Sequence, residues 1–144
     1  METIDRLVGK NCYIIDYLPV LVPKDSQGQF FEVEEYLLNH FEHYGLRDRF
    51  IGIVLKLMCY YHTSVFINGE WKEQPSPDVV VELIKEIVQK SSDSLNIRFS
   101  EKDALLVMDG DCLNMTVYNP DEEMCILLKD IAASAGMFFR KGRE

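Results

Sequence analysis

Leu105-Leu106-Val107-Met108-Asp109-Gly110-Asp111-Cys112-Leu113-Asn114-Met115-Thr116-Val117-Tyr118-Asn119-Pro120 is the stretch whose reading decides the fold. Leu113, Met115 and Val117 alternate with Asn114, Thr116 and Tyr118, the two-residue period of a strand with one buried face. Leu105 to Met108 is a short, fully apolar run, as expected of an inner strand. Between them Asp109-Gly110-Asp111 tolerates a tight reversal, with Gly110 free to take a positive φ. The two runs predict a β-hairpin. Downstream, Asn119 is predicted to cap a helix through its side-chain oxygen. Pro120 suits the first helical position, where its missing N–H has no helical partner. Asp121, Glu122 and Glu123 sit where the helix dipole favours negative charge. Met124, Leu127, Leu128, Ile131 and Ala135 make an apolar stripe. Gly136 ends the helix, and Met137-Phe138-Phe139 predicts a last short strand.

Working outward, Leu95, Ile97 and Phe99 alternate with Asn96, Arg98 and Ser100, and the turn Ser100-Glu101-Lys102-Asp103 joins this strand to the hairpin. Strands joined so briefly run antiparallel, giving a three-strand meander. Ser76 and Pro77 open a helix with Val80, Leu83, Ile84, Ile87 and Val88 on its core face and a Glu86–Lys90 pair facing solvent. Ser64-Val65-Phe66-Ile67 and Glu70-Trp71-Lys72-Glu73 flank Asn68-Gly69, a strong hairpin turn. Phe30, Val33, Leu37, Phe41 and Tyr44 predict one helix, which Gly45 punctuates. Leu46, Phe50, Ile53, Leu57 and Tyr60 predict a second, buried on most sides, running to about Tyr61. Cys12 to Leu18 is rich in strand formers. Pro19 and Pro23 bracket Val20-Leu21-Val22, an extended piece that cannot be a central strand and is expected to lie across the body. The order of elements predicts an α+β fold in a single domain, 1–144: an antiparallel sheet containing the meander, with helices mainly on one face.

The formal net charge of −9 on 144 residues repels phosphate backbones and anionic membrane surfaces, so neither nucleic acid nor membrane is an expected partner. A basic protein would be attracted, although solubility is the plainer account of the charge. Met-Glu-Thr-Ile-Asp shows no basic region followed by an apolar run, and no apolar run approaches the ~20 residues that cross a bilayer. A cytoplasmic protein with reduced thiols is expected, its four cysteines acting as small hydrophobes.

Sequence patterns for chemistry are sparse. Asp109 and Asp111, with Asn114 nearby, could hold a divalent cation. The further oxygen ligands of a calcium loop are missing, and turn-forming residues explain the pair as well. His40 and His43, three apart, are expected at a solvated helix end, since zinc needs a third ligand. Cys59 and His62 offer a thiol–imidazole pair, with core packing of Cys59 the plainer reading. No GxxxxGK[ST], GxGxxG or GxSxG is present, so no cofactor is implied. Arg140-Lys141-Gly142-Arg143 reads as a solvated tail. Two features offer a macromolecular partner, against the plainer readings of half-buried core-edge aromatics and a solvated acidic face. One is the aromatic set Tyr60, Tyr61 and Trp71, residue types enriched in interface hot spots. The other is the acidic helix carrying Glu32, Glu34, Glu35 and Glu42.

The segments Cys12-Tyr13-Ile14-Ile15-Asp16-Tyr17-Leu18-Pro19, Gly28-Gln29-Phe30-Phe31-Glu32-Val33-Glu34 and Asp111 to Pro120 resemble short uncharacterised proteins of Gram-positive bacteria. The resemblance implies a bacterial cytosolic origin and carries no site residue. The functional expectation is binding in place of catalysis: an inhibitor or immunity-type protein that sets Glu32, Glu34 and Glu35, or Tyr60, Tyr61 and Trp71, against a basic partner. The alternative is a metal-dependent enzyme or small-ligand binder at Asp109 and Asp111. A homo-oligomer subunit is a third reading.

Overall fold

The computed structural model describes residues 2–40, 43–89, 94–109 and 112–142. Its elements are α1 (Glu2–Leu7), β1 (Cys12–Asp16), α2 (Gln27–Asn39), α3 (Leu46–Met58), β2 (Thr63–Ile67), β3 (Glu70–Glu73), α4 (Pro77–Gln89), β4 (Ser94–Phe99), β5 (Ala104–Asp109), β6 (Cys112–Tyr118), α5 (Glu122–Ser134) and β7 (Phe138–Lys141). The fold is α+β. One antiparallel sheet takes all seven strands in the order β3-β2-β4-β5-β6-β1-β7, so it is larger than a three-strand meander. β4, β5 and β6 are successive neighbours inside it.

The sheet's two halves are built differently. β2 and β3 close on Asn68-Gly69, both at positive φ, the backbone that a tight hairpin turn of this kind requires. At the other end, β1 lies between β6 and β7 and is antiparallel to both. β6 and β7 therefore run parallel to one another, and parallel strands need a long crossover, which α5 supplies. One sheet face presents Val65, Ile97, Phe99, Leu106, Met115, Val117 and Ile15 to α3, α4 and α5, and these form one continuous core. α1 contacts β5, with Leu7 and Leu105 fully buried. The exposed charges of β3 at Glu70, Lys72 and Glu73 discourage pairing along that edge. No helix among the described residues is long and apolar enough to cross a membrane.

Several local expectations are corrected. The cap of α5 is Asp121, whose carboxylate accepts the Met124 N–H at 2.8 Å. That N–H, and then Lys102, hold the Asp121 carboxyl below its ordinary range. Asn119 instead takes φ 62° and donates to the Asp103 carbonyl at 3.0 Å, turning the chain before the helix starts. α2 stops at Asn39 and α3 at Met58, both short of the apolar stripes read from the sequence. Cys59 is exposed at the end of α3, outside the core. Arg140 is not part of a solvated tail: it lies in β7 and donates to Asp16 at 2.9 Å. The Asp109–Asp111 turn residues Gly110 and Asp111, and Lys90 of the anticipated Glu86–Lys90 pair, lie outside the described residues.

The C-terminus of α5 is locked from α3. Arg49 donates to the Ala135 carbonyl at 2.5 Å and the Tyr44 carbonyl at 2.7 Å, a cation where the helix dipole is negative. Gly136 has φ +71°, and a Cβ there would collide with the Arg49 guanidinium. Gly136→Ala is therefore expected to cost about 1–3 kcal/mol, from the left-handed backbone and the displaced cap together. Urea unfolding should show a lower midpoint at unchanged slope; an unchanged midpoint would show that the lock contributes nothing.

Candidate functional site: a buried carboxylate pair beside an exposed helix face

α2 is weakly sorted into polar and apolar sides. Phe30, Glu34, Leu37 and Leu38 recur at the spacing of one helix face, and this face turns inward. Glu34 sits in its middle and is only 6% exposed. The anticipated stripe through Val33 is thus rotated, and Glu34 is not part of a solvated acidic face. The reason lies in what remains on the other side: Phe31 (54% exposed), Val33 and Tyr36 (46% exposed) point to solvent, interleaved with exposed Glu32 and Glu35. No rotation of the helix buries every apolar residue and exposes every charge.

Beneath α2 is the end of β1. Asp16 is buried, accepts the Tyr17 N–H at 2.8 Å and is held by Arg140 across the strand pair. Arg140 stands opposite Ile14 in the β1–β7 register, so it reaches Asp16 as a diagonal neighbour on one sheet face. Glu34 has no such cation. No hydrogen bond or ion pair among the described residues engages its carboxyl, and burial followed by the Asp16 charge pushes its pKa up to about 7. Tyr17 is buried with its hydroxyl unpartnered, and burial, then Glu34, Asp16 and Tyr44, raise its pKa. Tyr44 is engaged elsewhere: its hydroxyl donates to the Gly136 carbonyl at 2.8 Å.

Tyr17 also forms a wall of a groove of about 200 Å³ between α2 and the Pro19–Pro23 segment, lined by Tyr17, Leu18, Val22, Gln29, Phe30 and Val33. The lining is mostly apolar. On the loop side, Val20 (69% exposed) and Leu21 stand clear of the surface. Five of the ten large apolar side chains exposed among the described residues belong to this loop and α2. Exposed apolar residues scattered singly need no explanation; large contiguous apolar patches are the ones found at interaction surfaces.

The other anticipated residues are dispersed. Tyr60 is exposed just past α3, Tyr61 packs on Phe99, and Trp71 packs edge-on against Phe66 with the Arg98 guanidinium 4.5 Å from its ring centre. Beside Trp71 lies an arrangement that the sequence spacing did not suggest. Glu73 receives His62 at 2.5 Å, Ser64 at 3.0 Å and Arg98 at 3.2 Å, and Gln74 meets the second His62 nitrogen at 3.2 Å. The His62 and Ser64 hydrogen bonds hold the Glu73 carboxyl below its ordinary range. The carboxylate stands between Ser64 and His62, so no serine–histidine relay forms, and the cluster ties edge strand β3 to β2 and β4. Both His62 nitrogens are occupied, and the Cys59 thiol faces the Leu55 carbonyl, so the thiol–imidazole pair is not made. His40 stacks on Tyr36 at 3.9 Å, with His43 6.3 Å from it at the end of α2. Asp109 is exposed and accepts from Ser94. Among the described residues, no group of three or more histidine, cysteine or acidic side chains is arranged to hold a metal ion.

No family model matches the chain, and neither the curated proteins nor the solved structures contain a match.

The Glu34 geometry has a consequence for pH. The folded state holds the Glu34 proton up to about pH 7, while the unfolded chain releases it near the ordinary 4.5. The stabilising effect of the protonated group is full below the lower value and is lost as pH rises to the higher. Wild type should lose about 2 kcal/mol relative to Glu34→Gln between those two values, the full linkage being reduced by solvent screening at the helix boundary. Chemical denaturation of both proteins across that range checks this, and parallel profiles would refute it.

Proposed function

We propose that the protein acts by binding another protein, as an acidic inhibitor or immunity-type partner in a bacterial cytosol. The docking surface is the outer face of α2 with the adjoining Pro19–Pro23 segment. The observation that carries this reading is the interleaving on α2: Phe31, Val33 and Tyr36 exposed, with Glu32 and Glu35 exposed between them. Apolar and aromatic anchors supply affinity once desolvated. A carboxylate rim selects a complementary rim and accelerates encounter, and a chain of net charge −9 adds long-range attraction for a basic partner. The partner of matching chemistry presents an apolar side chain ringed by lysine and arginine, as a basic nuclease effector does. Tyr60, Tyr61 and Trp71 are dispersed along another part of the molecule and have no role in this surface.

Two paired variants test the surface without touching the core: Phe31→Ser with Tyr36→Ser, and Glu32→Lys with Glu35→Lys. The protein immobilised in lysate of its source organism should retain one stoichiometric basic protein, identified by mass spectrometry and released by high salt. The aromatic pair should weaken retention about tenfold or more, and the charge-reversed pair should slow association and remove the salt dependence. Equal retention by both variants would exclude this face. Retention of the chain itself, with a doubled mass in light scattering, would replace the foreign partner by a second copy.

A further inference from the structure

His62 immediately precedes β2, and both nitrogens of its imidazole are held from the end of the neighbouring strand β3. Nε2 lies 2.5 Å from the Glu73 carboxylate, and Nδ1 lies 3.2 Å from the side-chain amide nitrogen of Gln74. The chemistry of these two partners assigns the protons. The Glu73 carboxyl is held below its ordinary range, so near neutrality it is ionised and only accepts, and Nε2 carries a hydrogen. An amide nitrogen only donates, so Nδ1 accepts and the ring in this arrangement is neutral. A second proton on Nδ1 would set two donors against each other. The hydrogen bond is restored if the amide turns over, because its other arm is an acceptor oxygen. A cavity of about 210 Å³, lined by Met58, Tyr61, His62, Thr63, Gln74 and Pro75, adjoins both residues and leaves room for that turn. The Gln74 backbone is fixed meanwhile: its N–H donates to the Thr63 carbonyl at 2.8 Å, and its φ of 45° lies in the left-handed region.

We propose that His62, Glu73 and Gln74 form a pH-sensitive latch on the edge strand β3. With the imidazole neutral, the Gln74 amide N–H donates to Nδ1. When Nδ1 takes a proton from solvent, it donates to the Gln74 amide oxygen, and the imidazolium faces Glu73 as an ion pair. Imidazole is the side chain that ordinarily changes charge between pH 5 and pH 8, so the latch responds in that range. The charged groups around the ring come from three directions. Glu73 of β3 touches it, and Arg98 of β4 and the Ser64 hydroxyl of β2 hold the same carboxylate. Glu101, in the turn after β4, accepts the His62 backbone N–H, and Lys102 stands 6.0 Å from the centre of the adjacent Tyr61 ring. Acidification adds charge to a contact that already exists, so β3 is held more tightly at pH 5 than at pH 8. The His62 and Glu73 side chains are 35% and 56% exposed, and solvent limits the gain. The latch uses no residue of α2 and is independent of the docking face.

NMR of the full chain between pH 8 and pH 5 tests the latch. The His62 Nδ1 resonance should move to its protonated position while Nε2 keeps its hydrogen throughout. The Gln74 side-chain amide protons should shift with the same midpoint as Nδ1, and in His62→Asn they should not titrate. Hydrogen exchange of the Gln74 backbone N–H, corrected for the intrinsic rate and compared with the amides of β5, should slow about threefold at pH 5. Glu73→Gln should remove that slowing and leave the ring able to titrate. Titration at Nε2 in place of Nδ1, or a Gln74 amide that stays still while Nδ1 titrates, would overturn the latch. Equal slowing in Glu73→Gln would also overturn it, since the response would then arise elsewhere in the fold. If Glu73→Gln does not fold, the ring and amide shifts of the wild-type chain decide between these outcomes.

Discussion

The fold depends on the insertion of β1 between β6 and β7. Cys12 to Ile15 pair with Met115 to Tyr118 on one side, and Tyr13 to Asp16 pair with Phe138 to Lys141 on the other. β7 has no other strand neighbour, so without β1 it loses its entire ladder and β6 becomes an edge. The contacts around this joint are varied. Tyr13 stacks on Phe139 at 5.0 Å, Asn119 and Gly142 donate to the carbonyls of Asn11 and Cys12, and Arg6 grips Asp103 with two hydrogen bonds. Closing a loop of about a hundred residues costs only slightly more than closing one half as long, because the entropy grows with the logarithm of length. Two ladders at once readily offset it.

That joint explains which features were legible in the sequence. The β5–β6 hairpin, the Asn68-Gly69 hairpin and the α4 start at Ser76-Pro77 are specified by residues adjacent in the chain, and each forms where local chemistry puts it. The place of β1 is specified by partners far along the chain. Nothing in Cys12 to Asp16 distinguishes a strand between β6 and β7 from one at an edge. The α5 cap failed differently. Asn119 and Asp121 both have capping side chains, and the decision fell to Asn119 entering the left-handed region, which an asparagine tolerates, so that its amide could reach Asp103.

The candidate site was half legible. Glu32, Glu34 and Glu35 were recognisable as an acidic run, but a run does not say which member turns inward. Its direction is set by where Phe30, Leu37 and Leu38 find apolar surface, and Glu34 shares their face. Asp16 and Arg140 were unreadable as a pair for the same reason that β1 was unplaceable, since they meet only through the β1–β7 register. The sequence groups Tyr61 and Trp71 with Tyr60, and His62 with Cys59. Glu73, which holds His62 and Ser64 instead, is an ordinary acidic residue of an edge strand until the sheet brings it against them.

α2 therefore has its polarity partly reversed, with a carboxylate at the centre of its inner face and three large apolar side chains outside. Either half alone would be a tolerable local cost. Their coincidence on one helix is harder to explain by folding alone: exchanging the polarity at Val33 and Glu34 would remove the buried carboxylate and one of the three exposed apolar side chains. Sequences keep local choices consistent with the fold except where a site demands otherwise. A helix that docks Phe31 and Tyr36 against a partner would carry this pattern. The same helix is tied to the core by little beyond Phe30, Leu37 and Leu38, so the cost falls on an element whose loosening leaves the seven-stranded sheet and its three covering helices intact.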